Sequence, residues 1–139
     1  MPLHPLFVHF PIALLSFATL IAIAHVIFGK KYSFSLTLSL LLISGMLSGM
    51  VSYMLGDSGE AYAMQHFNPQ HVQSLVHLHE TFAMIALVAY GIATALQLAG
   101  VWFTKYSQYT KWGVLVMTIL GFALLVVAGH LGASITYGN

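Results

Sequence analysis

Cysteine and arginine are absent from this 139-residue chain, and charge of either sign is scarce. Four lysines (Lys30, Lys31, Lys105, Lys111) accompany three carboxylates (Asp57, Glu60, Glu80), so charged residues make up 5% of the sequence. An ordinary soluble domain carries about 25%. So few charges cannot cover a soluble surface, which excludes a soluble globular domain and places the chain in a membrane. Without cysteine there is no disulfide, no iron–sulfur cluster, no covalently attached c-type haem and no thiol redox chemistry. A net charge of +1 with no basic cluster leaves no nucleic-acid footprint. Three carboxylates in all argue against a carboxylate-rich di-iron or calcium site. The length allows one domain, too short for a channel plus a separate catalytic domain.

What is present is apolar sequence and histidine. Hydrophobic residues make up 59% of the chain. Four apolar stretches cover 6–28, 34–55, 78–102 and 112–135. At 1.5 Å per residue, about 20 residues cross a hydrocarbon core of about 30 Å. Lipid offers the backbone no hydrogen-bond partners, so these stretches are expected as helices. The expected fold class is all-α: an integral membrane four-helix bundle. The opening Met1-Pro2-Leu3-His4 carries no Lys or Arg, makes a poor secretory signal and is read as mature sequence.

The lysines set the expected topology. Lys30 and Lys31 lie between the first two spans, and Lys105 and Lys111 between the last two. By the positive-inside rule those short connections face the cytoplasm. Both termini and the 56–77 segment then face the periplasm of a bacterial cytoplasmic (inner) membrane. Trp102, Phe103, Tyr106, Tyr109 and Trp112 would form an aromatic belt at the cytoplasmic interface. The 56–77 segment is read as a long outer loop, with an interfacial helix near 61–67 as its simplest local structure. Connections of that length are uncommon and often functional.

Seven of the eight histidines fall on the outer side of this topology; His25 is the exception. His4 and His9 begin the first span, His66, His71 and His77 lie in the outer segment, and His79 begins the third span. His130 lies about 27 Å beyond Trp112 and reaches the same level. Polar groups within membrane helices are costly and usually face the bundle interior. Imidazole is the commonest metal ligand, and bundle cores hold cofactors. His9, His79 and His130 come from three helices at one depth, so they are the preferred ligands, with His4 and His77 in reserve. Glu80 adds a carboxylate at that level. His66 and His71 suit a headgroup interface without any ligand, and His25 reads as a packing residue. His77 and His79 are about 200° apart on a helix, so only one of them can point inward. Neither i, i+4 zinc spacing nor HExxH occurs.

Noncovalent b-type haem needs facing axial ligands and an apolar slot, and it needs no cysteine. Gly45, Gly49, Gly129 and Gly132 offer room for a macrocycle, although a GxxxG run also serves plain helix packing. Met46, Met50 and Met54 recur on one face of the second span. Soft thioethers suit Cu(I), and methionine also fills cores. Asp57 closes that span as a solvated helix-end residue or as a proton acceptor for a quinol headgroup.

The opening His4-Pro5-Leu6-Phe7-Val8-His9-Phe10-Pro11-Ile12 resembles the HPxxVHFPI start of the small four-helix membrane proteins of domain-of-unknown-function family 2231. The small-residue run Ser44-Gly45-Met46-Leu47-Ser48-Gly49 with Asp57 after it, the His77-Leu78-His79-Glu80 start of the third span, and Gly129-His130-Leu131-Gly132 with Tyr137-Gly138 resemble further family motifs. The close departs from the family's GGHLVY pattern, with Ala128 in place of the first glycine. The resemblance covers essentially the whole chain. It implies a partner of respiratory and c-type cytochrome proteins, with motif histidines at His4, His9, His79 (or His77) and His130.

Together these features lead us to expect a haem b protein, with one haem or two, near the periplasmic face. It would pass electrons between the quinone pool and a periplasmic cytochrome as a subunit of a larger complex, rather than act as a stand-alone enzyme. Homo-oligomerisation stays open. Two alternatives stand beside it. One is a non-haem copper or zinc binding or transport protein, using the same histidines and Met46, Met50 and Met54. The other is a structural accessory subunit of a respiratory or photosynthetic complex.

Overall fold

The computed structural model describes residues 4–137, with the side chains of His4, Pro5, Ser58 and Thr136 outside the described set. Gly138, the last residue of the closing motif, also lies outside it. The described chain is helical and contains no strand. In order, the helices are α1 (His4–Phe7), α2 (His9–Phe28), α3 (Ser35–Met54), α4 (Gly56–His66), α5 (Pro69–Trp102) and α6 (Ser107–Tyr137). A 3-10 turn, Thr104–Tyr106, joins the last two. Four helices, α2, α3, α5 and α6 with its preceding turn, are long and apolar enough to cross a membrane. Their surfaces fit that role: Leu36, Met54 and Trp102 are 72%, 78% and 83% exposed, which only lipid or its interface would tolerate across a whole bundle.

The four long helices close into a ring. α2 packs on α3 and α6, and α5 packs on the same two. Leu15, Ala18, Leu38, Leu42, Tyr90 and Val114 fill its centre. Small residues let the helices approach. A Cβ at Gly45 would meet Leu15, and one at Gly121 would sit 2.8 Å from the Tyr90 ring. Gly45 is therefore a packing residue. Tyr90 is fully buried, and its hydroxyl lies 2.8 Å from Thr19 Oγ1. The Thr19 proton is directed to the carbonyls of Leu15 and Thr118, at 3.1 and 3.3 Å. Tyr90 therefore donates to Thr19, and both hydroxyls are satisfied within the core.

The 56–77 segment differs from its expectation as a loop. It is mostly helix: all of α4, then the first nine residues of α5. The reason is local. The Asn68 side chain accepts from the Gln70 N–H at 3.1 Å, and Pro69 occupies the first turn of α5. This is a strong helix start, because the cap satisfies an orphan donor and proline has none to lose. At 34 residues α5 runs about 51 Å, well beyond a bilayer core. Its overhang packs on α4 through Val72 and Val76 against Ala63. α6 likewise starts at Ser107 rather than near 112.

Candidate functional site

The end of the bundle that carries α1 and α4 holds a cavity of about 660 Å³. That volume lies within the range of about 300–1,000 Å³ usual for cofactor pockets. Pro11, Ile12, Leu87 and Leu125 give it apolar walls, and His9, His79, Asp57, Glu60 and Glu80 also line it. Gly56 and Gly129 open onto it. A Cβ built at either position meets nothing within 4 Å, so a bound group has space there.

His79 is the best-positioned histidine. It lies almost three turns into α5 and is half-buried. Its Nδ1 is 2.8 Å from the Ala128 carbonyl oxygen of α6. A carbonyl can only accept, so Nδ1 carries the proton and donates. In the neutral tautomer that this bond selects, the lone pair belongs to Nε2. Metal-ligating histidines commonly donate their second N–H to a backbone carbonyl in this way, which fixes the tautomer and raises basicity. The ring can reach α6 because residue 132 is glycine. A Cβ there would sit 3.3 Å from His79 Cε1. Gly132 thus gives room to the His79 ring on the cavity wall.

His9, at the start of α2, is exposed and lines the same cavity. Of His9, His79 and His130, expected together, the first two line the cavity. His130 is exposed and lies off the cavity lining. The cause is helical phase. α6 turns Ala128, Gly129 and Gly132 to the cavity, and position 130 is about 200° from 128. The same arithmetic separates His77, which is exposed, from His79. The His4 side chain lies outside the described residues. His66 Nδ1 lies 2.8 Å from the Tyr62 carbonyl, and its ring stacks on Tyr62, so its contacts are local to α4. His71 is exposed. Met46 is half-buried and packs against the core, whereas Met50 and Met54 are 55% and 78% exposed. The methionine face therefore does not extend to the cavity.

The carboxylates hold the largest departure from expectation. Oxygens of Asp57, Glu60 and Glu80 all lie within 4.8 Å of one another, and these are the only carboxylate side chains in the sequence. Asp57 and Glu60 sit three apart in the first turns of α4, on one face. The packing of α4 on the α5 overhang brings Glu80 to them. Two like charges about 4 Å apart repel by ~1 kcal/mol in water and ~4 kcal/mol at an effective dielectric of about 20. Such a cluster is stabilised by a proton or a cation. Three carboxylates are too few for a di-iron centre, yet they suffice to hold one cation. Glu60 was the residue that sequence reasoning passed over. Its signal was the i, i+3 spacing from Asp57 in a chain with so few acids.

The profile of a family described as a predicted membrane protein (DUF2231) matches residues 1–139. No curated protein and no solved structure matches the chain.

Proposed function

We propose that this chain, which belongs to the DUF2231 family of predicted membrane proteins, binds b-type haem and transfers electrons as a subunit of a larger membrane complex. The observation that carries the reading is His79: its Nδ1–H is engaged by the Ala128 carbonyl, and it stands on an apolar cavity that His9 also lines. His9 and His79 come from different helices and would hold the haem iron. The open positions at Gly56 and Gly129 suit a flat group. Haem would supply one-electron chemistry at a potential set by ligation and burial. The residues of this chain would fix the ligand tautomer, exclude water with Pro11, Ile12, Leu87 and Leu125, and hold protons at Asp57 and Glu80 when a quinol is oxidised. The lysine distribution supports an orientation in a bacterial cytoplasmic membrane with this site outward, facing a periplasmic c-type cytochrome.

One observation favours a second reading. The Asp57, Glu60 and Glu80 cluster suits a single non-haem divalent ion such as zinc, because carboxylates are among its ligands, and His79 lines the same cavity. Copper bound through Met50 and Met54 gains no support from their exposure. Visible spectra and elemental analysis of protein made with ample haem separate the readings. A Soret band that shifts on reduction and is lost in His79→Ala supports haem. One zinc per chain without a Soret band, lost in Glu80→Gln, supports the ion. Neither signal sinks both and leaves an accessory subunit.

A further inference from the structure

The opposite end of the bundle holds a second cavity, of about 380 Å³, lined by His25, Lys30, Ser35, Gln97, Thr110 and Lys111 among others. No carboxylate lines it. The four lysines divide into two kinds. Lys31 stands over the Tyr32 ring at 5.3 Å, and Lys105 over the Tyr106 ring at 5.8 Å. These two behave as interfacial lysines resting on aromatic rings. Lys30 and Lys111 instead converge on the cavity from different connections of the chain.

The polar groups between them are tied together around Ser35. Gln97 Nε2 donates to Ser35 O and Oγ, both at 3.2 Å, and to Ser39 Oγ at 3.1 Å. Ser35 Oγ accepts that bond, so its own proton is left to donate. Ser39 donates to Ser35 O at 2.8 Å. His25 Nδ1 is buried with no hydrogen-bond partner, and an unmet polar group in such a place costs about 1–3 kcal/mol. The close approach of α5 and α6 that walls the cavity depends on Gly100, where a Cβ would collide with Thr110 Oγ1. Two ammonium groups, the Ser35 hydroxyl proton and the unpartnered Nδ1 of His25, with no carboxylate in the lining, match an anion with several acceptor oxygens.

We propose that this cavity binds a phosphate group, carried by an anionic phospholipid headgroup or by free phosphate. Basic pockets between membrane helices on the lysine-rich side recognise such groups. The proposal is independent of what the histidine and carboxylate end holds.

The test uses the full chain in non-ionic detergent. Native mass spectrometry follows retention of phosphatidylglycerol against phosphatidylcholine, and calorimetry follows inorganic phosphate. The expected result is preferential retention of about one phosphatidylglycerol per chain, or saturable phosphate binding. Affinity should fall about thirtyfold in Lys30→Gln/Lys111→Gln. The Lys31→Gln/Lys105→Gln protein loses the same charge and should bind like the parent. Phosphatidylglycerol without phosphate binding identifies the headgroup as source; phosphate binding with the same lysine dependence identifies the free ion. Binding of neither, equal retention of both lipids, or equal loss in both double variants overturns the proposal. Unchanged helical circular dichroism in each variant secures the comparison.

Discussion

The two ends of this bundle are built from opposite chemistry. One end gathers Asp57, Glu60 and Glu80 with His9 and His79 around an apolar cavity of about 660 Å³. The other gathers Lys30 and Lys111 with His25 and Gln97 around a cavity of about 380 Å³. Between them Leu15, Leu38, Leu42 and Tyr90 fill the centre. The same short supply of charge is thus sorted completely by sign. The difference teaches that the lysines alone are explained by topology and interface, as the two seated on tyrosine rings illustrate. The carboxylates are not. Nothing about membrane insertion requires three of them to meet, and their meeting costs repulsion unless something positive joins them.

The largest expected effect comes from the layer that separates the ends. Tyr90→Ala opens a cavity in the centre and removes the hydroxyl partner of Thr19. A loss of about 3–5 kcal/mol is expected, read as a fall in thermal unfolding temperature in detergent. If both ends keep their binding and the melt is unchanged, the central layer is not what holds them apart. Next is His79→Ala. Metal or haem affinity should drop by at least about tenfold, measured by titration, while His130→Ala leaves it unchanged. Equal losses in both would place His130 at the site after all. Gly132→Leu should mimic His79→Ala, because a side chain there displaces the ring. Its failure to do so would separate ring position from binding.

A smaller effect of opposite sign is expected at the carboxylates. With divalent ions chelated, Glu80→Gln removes one repulsive partner and should stabilise the protein by about 1 kcal/mol, a value discounted for partial exposure. With the ion or haem present, the stabilisation should vanish or reverse. Destabilisation under chelation would show that the cluster is held by other contacts. The smallest effect belongs to Lys31→Gln, whose exposed ring contact should be worth no more than about 1 kcal/mol.

Much of this was legible in the residues. The apolar stretches announced four spans, and the second span of 20 residues falls within one residue of its expected ends, because lipid admits no other backbone solution there. The 56–77 segment was harder. Its polarity hid two helical pieces, although Asn68 and Pro69 carry a cap signal that hydropathy does not weigh. Depth was legible for His130, but facing was not. Depth follows from residue count alone, whereas facing needs the rotation of α6 about its axis. That rotation is set by which of its residues pack on α2 and α5. Glu60 and Glu80 are 20 positions apart, and no periodicity within one helix joins them.

The sequence by itself determined that this chain is helical, spans a membrane four times and carries its lysines at one end and its acids and all histidines but His25 toward the other. Composition and segment length are enough for that, since the cost of unsatisfied peptide groups in lipid is the same wherever the helices pack. The tertiary structure alone decided which histidines line one cavity and that the carboxylates converge. Only the packing of α4 on the α5 overhang, and of His79 on the glycine-132 face of α6, brings those groups within reach of one another.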